Sequence, residues 1–139
     1  MRLPLHQIDA FATRPFKGNP AAVMPLDSWL PDTLLQAIAM ENNLAETAFI
    51  VKEPGGWRIR WFTTLAEIDL CGHATLASAW LILNELEPEA PSVAFQSRSG
   101  LLTVAREGDG LVLDFPARSS TPARRQLQMR PTTVTFEYR

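Results

Sequence analysis

Residues 69–83 read DLCGHATLASAWLIL, and the stretch from Ala74 to Leu83 decides the fold. It carries no charge, and its only polar side chains, Thr75 and Ser78, are small enough to hydrogen-bond back to carbonyls of their own helix. A helix that is apolar on every side has no face to give to water, so a sheet must wrap around it. The helix starts near Gly72 and stops before Pro88, which cannot continue it.

The wrapping strands are short and alternating. In Trp57-Arg58-Ile59-Arg60-Trp61-Phe62 the two tryptophans and Ile59 face one side and the arginines the other, as in a half-buried antiparallel strand. Pro54-Gly55-Gly56 is a tight turn joining it to residues 47–52 as a hairpin, and Gly108-Asp109-Gly110 joins 101–106 to 111–115 in the same way. Further strands are expected at 5–12, 21–24 and 93–96. A second helix is expected from Asp32 or Thr33 to Glu41. Thr33 and Gln36 have capping-box spacing, Leu34, Leu35 and Ile38 form its stripe, and Asn42-Asn43 suit its end. The fold class is α+β: a curved, mostly antiparallel sheet rolled around one buried central helix, with the other helix packed outside.

Bulk properties narrow the function. The chain has 139 residues, 46% apolar and 20% charged, which fits one globular domain with a normal core. A net charge of −2 gives no overall positive field for nucleic acid or an anionic membrane, and the apolar run is about half of a bilayer span. The N-terminal MRLPLHQIDAFATRPF has no unbroken apolar core and does not read as a signal peptide. Cys71 is the only cysteine, which excludes an internal disulfide and suits a reducing cytoplasm. Residues 1–117 hold 8 basic and 14 acidic groups, whereas 118–139 hold 5 and 1. The first part reads as the domain. The second is a basic divergent tail, linker-like from Arg118 to Arg125, with at most one added strand where Val134, Phe136 and Tyr138 alternate.

Chemistry concentrates around Glu67-Ile68-Asp69-Leu70-Cys71-Gly72-His73-Ala74-Thr75. The start of a buried helix presents unpaired N–H groups and the positive end of its dipole, which suits a substrate carboxylate. The same dipole favours a neutral His73 able to exchange a proton. Glu46 stands where the first helix has ended and an apolar strand begins, so its carboxylate is expected to be partly desolvated at the sheet's interior end. On residue type alone, His73 also fits a hydrogen-bonded cap, Asp69 a turn residue, Cys71 a core thiol and Glu46 an exposed loop position. Gly18-Asn19-Pro20-Ala21 reads as a turn followed by a strand, and Ser97-Arg98-Ser99-Gly100 as a hairpin turn. No metal-ligand spacing, GxGxxG, P-loop or GxSxG occurs.

Four ordered segments carry a resemblance. Residues 9–12 (DAFA), 16–23 (FKGNPAAV), 43–49 (NLAETAF) and 69–77 (DLCGHATLA) resemble the PhzF-like isomerase family of phenazine biosynthesis in order and spacing, with 113–116 (LDFP) as the last matching piece. Thr64 stands where the family has proline. The resemblance implies a fold like that of diaminopimelate epimerase, in which two similar domains, each a sheet rolled around a central helix, enclose a cleft. It implies that Glu46 shuttles a proton across a small substrate with His73 beside it. Asn19, Asp69, Gly72, Ala74, Ser99 and Gly100 would contact the substrate, and neither cofactor nor metal would take part. The family's best-characterised reaction isomerises trans-2,3-dihydro-3-hydroxyanthranilate. Family members are about twice as long, and their second domain supplies the other wall of the cleft. This chain then reads as a truncated or frame-shifted relative, active as part of an enzyme or as a homodimer of two such halves. Two alternatives stand beside that reading: an inactive fragment or small binding module, and an amino-acid racemase or epimerase that uses Cys71 as a base.

Overall fold

The computed structural model describes residues 2–14, 17–108, 110–114, 124–127 and 133–138. The chain runs β1 (Leu3–Arg14), β2 (Lys17–Leu26), α1 (Asp32–Asn42), β3 (Glu46–Glu53), β4 (Gly56–Phe62), β5 (Glu67–Ile68) and α2 (Gly72–Leu81). One π-helical segment, Ile82–Leu86, prolongs α2, and then come β6 (Ser92–Ser97), β7 (Gly100–Glu107), β8 (Gly110–Asp114), β9 (Arg124–Leu127) and β10 (Thr133–Tyr138). The strands form one sheet in the order β10-β1-β2-β3-β4-β6-β7-β8-β9, with β5 attached to β4. Pairing is antiparallel except for β2 with β3 and β4 with β6. Each parallel pair is bridged by a helix, α1 in the first case and α2 in the second, because parallel neighbours need a long crossover.

The α2 helix touches β1, β2 and β3 on one side and β8 on the other, so the sheet curls around it. Ala74 to Ala79 and Leu81 to Leu83 are buried, and Trp80 alone is half-exposed, as the uncharged run requires. Thr75 donates its hydroxyl proton to the Cys71 carbonyl at 2.7 Å, and Ser78 donates to that of Ala74 at 2.7 Å. Both polar groups are thereby satisfied inside the core.

β3 is buried on both faces, and its alternation divides the core in two. Ala48 and Ile50 join the cluster around α2 with Val23, Ile59, Trp61 and Phe95. Phe49 and Val51 lie in a second cluster beneath α1, with Met24, Leu35, Ile38 and Phe62. Asn43 ends α1 in the left-handed conformation at φ 51, where asparagine is tolerated. No helix among the described residues is long and apolar enough to cross a membrane.

Four expectations change. α1 has no capping box: Pro31 precedes it without a side-chain cap, and Gln36 donates instead to the Thr63 carbonyl at 3.0 Å. A proline at that position brings extended backbone but no acceptor side chain. Gly18 and Asn19 are not a turn but part of β2, with Asn19 opposite Ala10 of β1. The tail adds two strands, β9 beside β8 and β10 beside β1, so Arg124 and Arg125 lie in the sheet rather than in a linker. A free sheet edge offers unpaired N–H and C=O groups, and backbone pairing there needs no apolar side chain. Asp109 and the linker-like residues 118–123 lie outside the described residues.

Two substitutions test this packing by urea unfolding. Leu76→Ala, at a fully buried position of α2, is expected to lower stability by about 2–5 kcal/mol. A Cβ on Gly56 would meet the Ala94 carbonyl oxygen at 2.8 Å, so Gly56→Ala is expected to remove about 1–3 kcal/mol by forcing β4 and β6 apart. An unchanged midpoint in either variant would show that the sheet does not close over α2 as described.

Candidate active site

Glu46 is the first residue of β3, two and four positions before Ala48 and Ile50, so it shares their inward face at the end of the sheet. That end overlies the N-terminus of α2, where His73 occupies the second helical position. Local hydrogen bonds fix both elements. The Asn42 side-chain amide at the end of α1 donates to Thr47 Oγ1 at 3.1 Å, next to Glu46. Trp61 Nε1 on β4 donates to Thr75 Oγ1 at 3.1 Å, and Thr75 in turn holds the Cys71 carbonyl. The start of α2 is therefore pinned to the sheet through a buried tryptophan.

Glu46 Oε2 and His73 Nε2 lie 2.8 Å apart, with side chains 18% and 13% exposed. Despite the distance the two atoms form no aligned hydrogen bond, and each is buried without a hydrogen-bond partner. Such orphaned atoms cost free energy in a resting protein and are used where a ligand or a moving proton completes them. On the other side of the imidazole, Cys71 Sγ lies 3.4 Å from Nδ1. Burial foremost, with repulsion from the Glu46 carboxylate, pushes the Cys71 thiol up to about 11, against the backbone N–H groups of Ala74 and His73, which favour the thiolate. Near neutral pH the sulfur thus keeps its proton. Beside a neutral imidazole it can donate to Nδ1, the tautomer that carries its ring proton on Nε2.

The remaining predicted residues separate into groups. Asp69 is exposed in the segment before α2, and its carbonyl accepts a hydrogen bond from Ser99 Oγ at 2.8 Å. Ser99 belongs to the β6–β7 turn and Gly100 opens β7, with φ 97. They are joined to the site through the Asp69 segment rather than by contact with Glu46. Gly72 is half-buried at the helix start and Ala74 is fully buried. Asn19 lies on β2 beyond Ala21, the register partner of Glu46, but its side chain is outside the described residues.

Residue patterns did not disclose the charges that brace this region. Arg60 donates to both carboxylate oxygens of Glu67, at 2.7 and 3.0 Å, and to Asp32 at 3.0 Å, and it lies over the rings of Trp29 and Phe62. Arg98 ties Glu67, at 3.2 Å, to Asp69, at 3.6 Å. The sequence signal was limited to opposite charges on Arg60 and Glu67. Nothing in the sequence showed that a two-residue strand would place them side by side.

Glu46, Cys71 and His73 also form the one group among the described residues that could hold a metal ion, with donor atoms all within 4.8 Å of one another.

Comparison with known proteins identifies the family. The family model PhzC-PhzF, phenazine biosynthesis-like protein, matches residues 8–134. An uncharacterized isomerase of Pseudomonas aeruginosa is 58% identical over 122 residues, covering 88% of this chain and 47% of that relative. A crystal structure of a PhzF-family phenazine biosynthesis protein from Enterococcus faecalis superposes with a TM-score of 0.80 at 51% identity, over 84% of this chain and 45% of that one. A predicted epimerase from Pseudomonas aeruginosa superposes with a TM-score of 0.67 at 30% identity, over 82% and 42%. The chain thus spans about half the length of the relatives it matches. With a rolled sheet around α2, a glutamate facing a histidine at the helix start and a family match along most of its length, the chain belongs to the PhzC-PhzF family of phenazine biosynthesis-like proteins.

Proposed function

We propose that this chain carries the proton-transfer wall of a cofactor-independent isomerase acting on a small carboxylate-bearing substrate, dihydroaromatic or amino acid-like. The observation that carries the reading is the 2.8 Å approach of Glu46 Oε2 to His73 Nε2, both buried and neither completed by an aligned hydrogen bond. In this reading Glu46 takes a proton from one carbon of the substrate and returns it to another, and His73 holds the carboxylate in place through Nε2. The half-buried amide end at Gly72 receives the substrate carboxylate. Asp69, Ser99 and Gly100 form the rim.

The relatives are about twice as long, and the second wall of the cleft comes from the other half of such a protein or from a second copy of this chain. Orientation of the substrate between two walls is a large part of catalysis, so this chain alone is expected to be slow or inactive. The cysteine-based epimerase reading is disfavoured, because a thiol pushed up to about 11 is a poor base near neutral pH.

Solvent deuterium incorporation into a dihydroaromatic acid, measured on the chain and on a full-length relative carrying the same motifs, tests the assignment. Glu46→Gln keeps the shape and removes the exchangeable proton. It is expected to lower incorporation by about 100-fold to 10,000-fold. Cys71→Ser is expected to lower it by less than about tenfold, since the sulfur only orients the ring. Equal losses from both substitutions would support the cysteine-based reading, and an unaltered rate in Glu46→Gln would refute the glutamate as the proton carrier.

A further inference from the structure

We propose that Cys71, His73 and Glu46 form a binding site for Zn²⁺ at the place where the proposed proton transfer occurs. The inference concerns the same three residues as the proposed reaction but rests on their donor chemistry and spacing, not on turnover.

The set holds one sulfur, one imidazole nitrogen and one carboxylate oxygen, on two elements, within 4.8 Å of one another. Around tetrahedral zinc, bond lengths of about 2.0–2.3 Å place donors about 3.3–3.8 Å apart. Cys71 Sγ to His73 Nδ1 is already 3.4 Å, and Glu46 Oε2 to His73 Nε2 is 2.8 Å. The two contacts use opposite nitrogens of one ring. An ion therefore takes one of them, and rotation of the remaining side chain brings in the third donor, which already lies within 4.8 Å. Two of the donors, Glu46 Oε2 and His73 Nε2, are buried without hydrogen-bond partners, which is the condition a bound cation relieves.

Three protein ligands leave a fourth position for water, as in open zinc sites. The sulfur and imidazole select zinc or cobalt over magnesium, calcium or manganese. Binding exchanges the thiol proton for the ion: the S–H bond breaks, the S–Zn bond forms, one proton is released to solvent, and no electron is transferred.

Cobalt(II) tests the site directly. The chain contains a single cysteine, so a thiolate-to-cobalt charge-transfer band can arise from Cys71 alone. Titration of the reduced, metal-free chain with Co²⁺ is expected to give this band with a saturation of one ion per chain, and Zn²⁺ is expected to abolish it by displacement. Cys71→Ser is expected to remove the band. Glu46→Gln and His73→Gln are expected to weaken Zn²⁺ binding at least about tenfold in competition with a chromophoric chelator, since even loss of a group that only supports a ligand costs about that much. Far-ultraviolet circular dichroism of each variant separates loss of a ligand from loss of fold. The absence of a charge-transfer band in the wild-type chain would overturn the proposal, as would Zn²⁺ affinity indifferent to all three substitutions. Failure of the deuterium experiment alone would leave the metal result standing, because ion binding needs no substrate.

Discussion

Enclosure of α2 is the constraint from which the rest of the molecule follows. A helix that is uncharged and apolar on every side can be kept from water only by a layer that surrounds it, and the strands supply that layer by curling until β1, β2, β3 and β8 all touch it. The main cluster of buried residues accordingly draws on strands from both halves of the sheet. Once the helix body is closed in, its N-terminus is the part left to meet a ligand, at the end of the sheet where Glu46 begins β3. Helix enclosure and site location are one physical fact. The inward face that receives Ala48 and Ile50 for packing also receives Glu46, two residues earlier, for chemistry.

Holding a polar end next to an apolar core requires fasteners, and the structure uses few. Trp61 contributes its bulk to the core and its N–H to Thr75, whose hydroxyl then secures the Cys71 carbonyl. This chain ties the first residues of α2 to β4 without leaving a buried polar atom unpaired along it. Outside, Arg60 is placed between Glu67, Asp32 and two aromatic rings, and Arg98 carries the connection on to Asp69. Glu67 and Arg60 are largely shielded, at 16% and 19% exposure, so their doubly bonded contact is less open to solvent screening than the exposed Lys52–Glu87 pair at the other end of β3. The segment that leads into α2 is thus braced on its outer side by charge and on its inner side by a tryptophan.

Within the site, the environment separates roles that residue types leave open. A cysteine, a histidine and a glutamate close together could serve as nucleophile, base or ligand in several combinations. Burial beside the Glu46 carboxylate keeps the thiol protonated, which turns Cys71 into a donor toward Nδ1 of the imidazole. A divalent cation reverses that arrangement because it stabilises the thiolate more strongly than burial opposes it. The same three residues therefore suit a proton relay in one state and chelation in the other.

The sequence by itself determined the elements and the chemical inventory. Local patterns suffice there: the uncharged helix, the two-residue alternation of Trp57, Ile59 and Trp61, the left-handed asparagine after α1, and motifs that name Glu46 and His73 as candidates. It did not determine which side chains meet. Gln36 had capping-box spacing but bonds across space to Thr63, because a proline fills the cap position. Gly18 and Asn19 have turn composition but lie in β2, where Asn19 pairs with Ala10 of β1. Arg124 and Arg125 look like linker and lie in a strand, since edge pairing uses backbone groups that every non-proline residue carries. The approach of Glu46 to His73 exists only because the sheet rolls a strand end over a helix start, whereas His73 meets Cys71 within a single helix turn. Contacts between residues 27 positions apart depend on that curvature, and curvature is a property of the packed sheet that no local stretch of sequence contains.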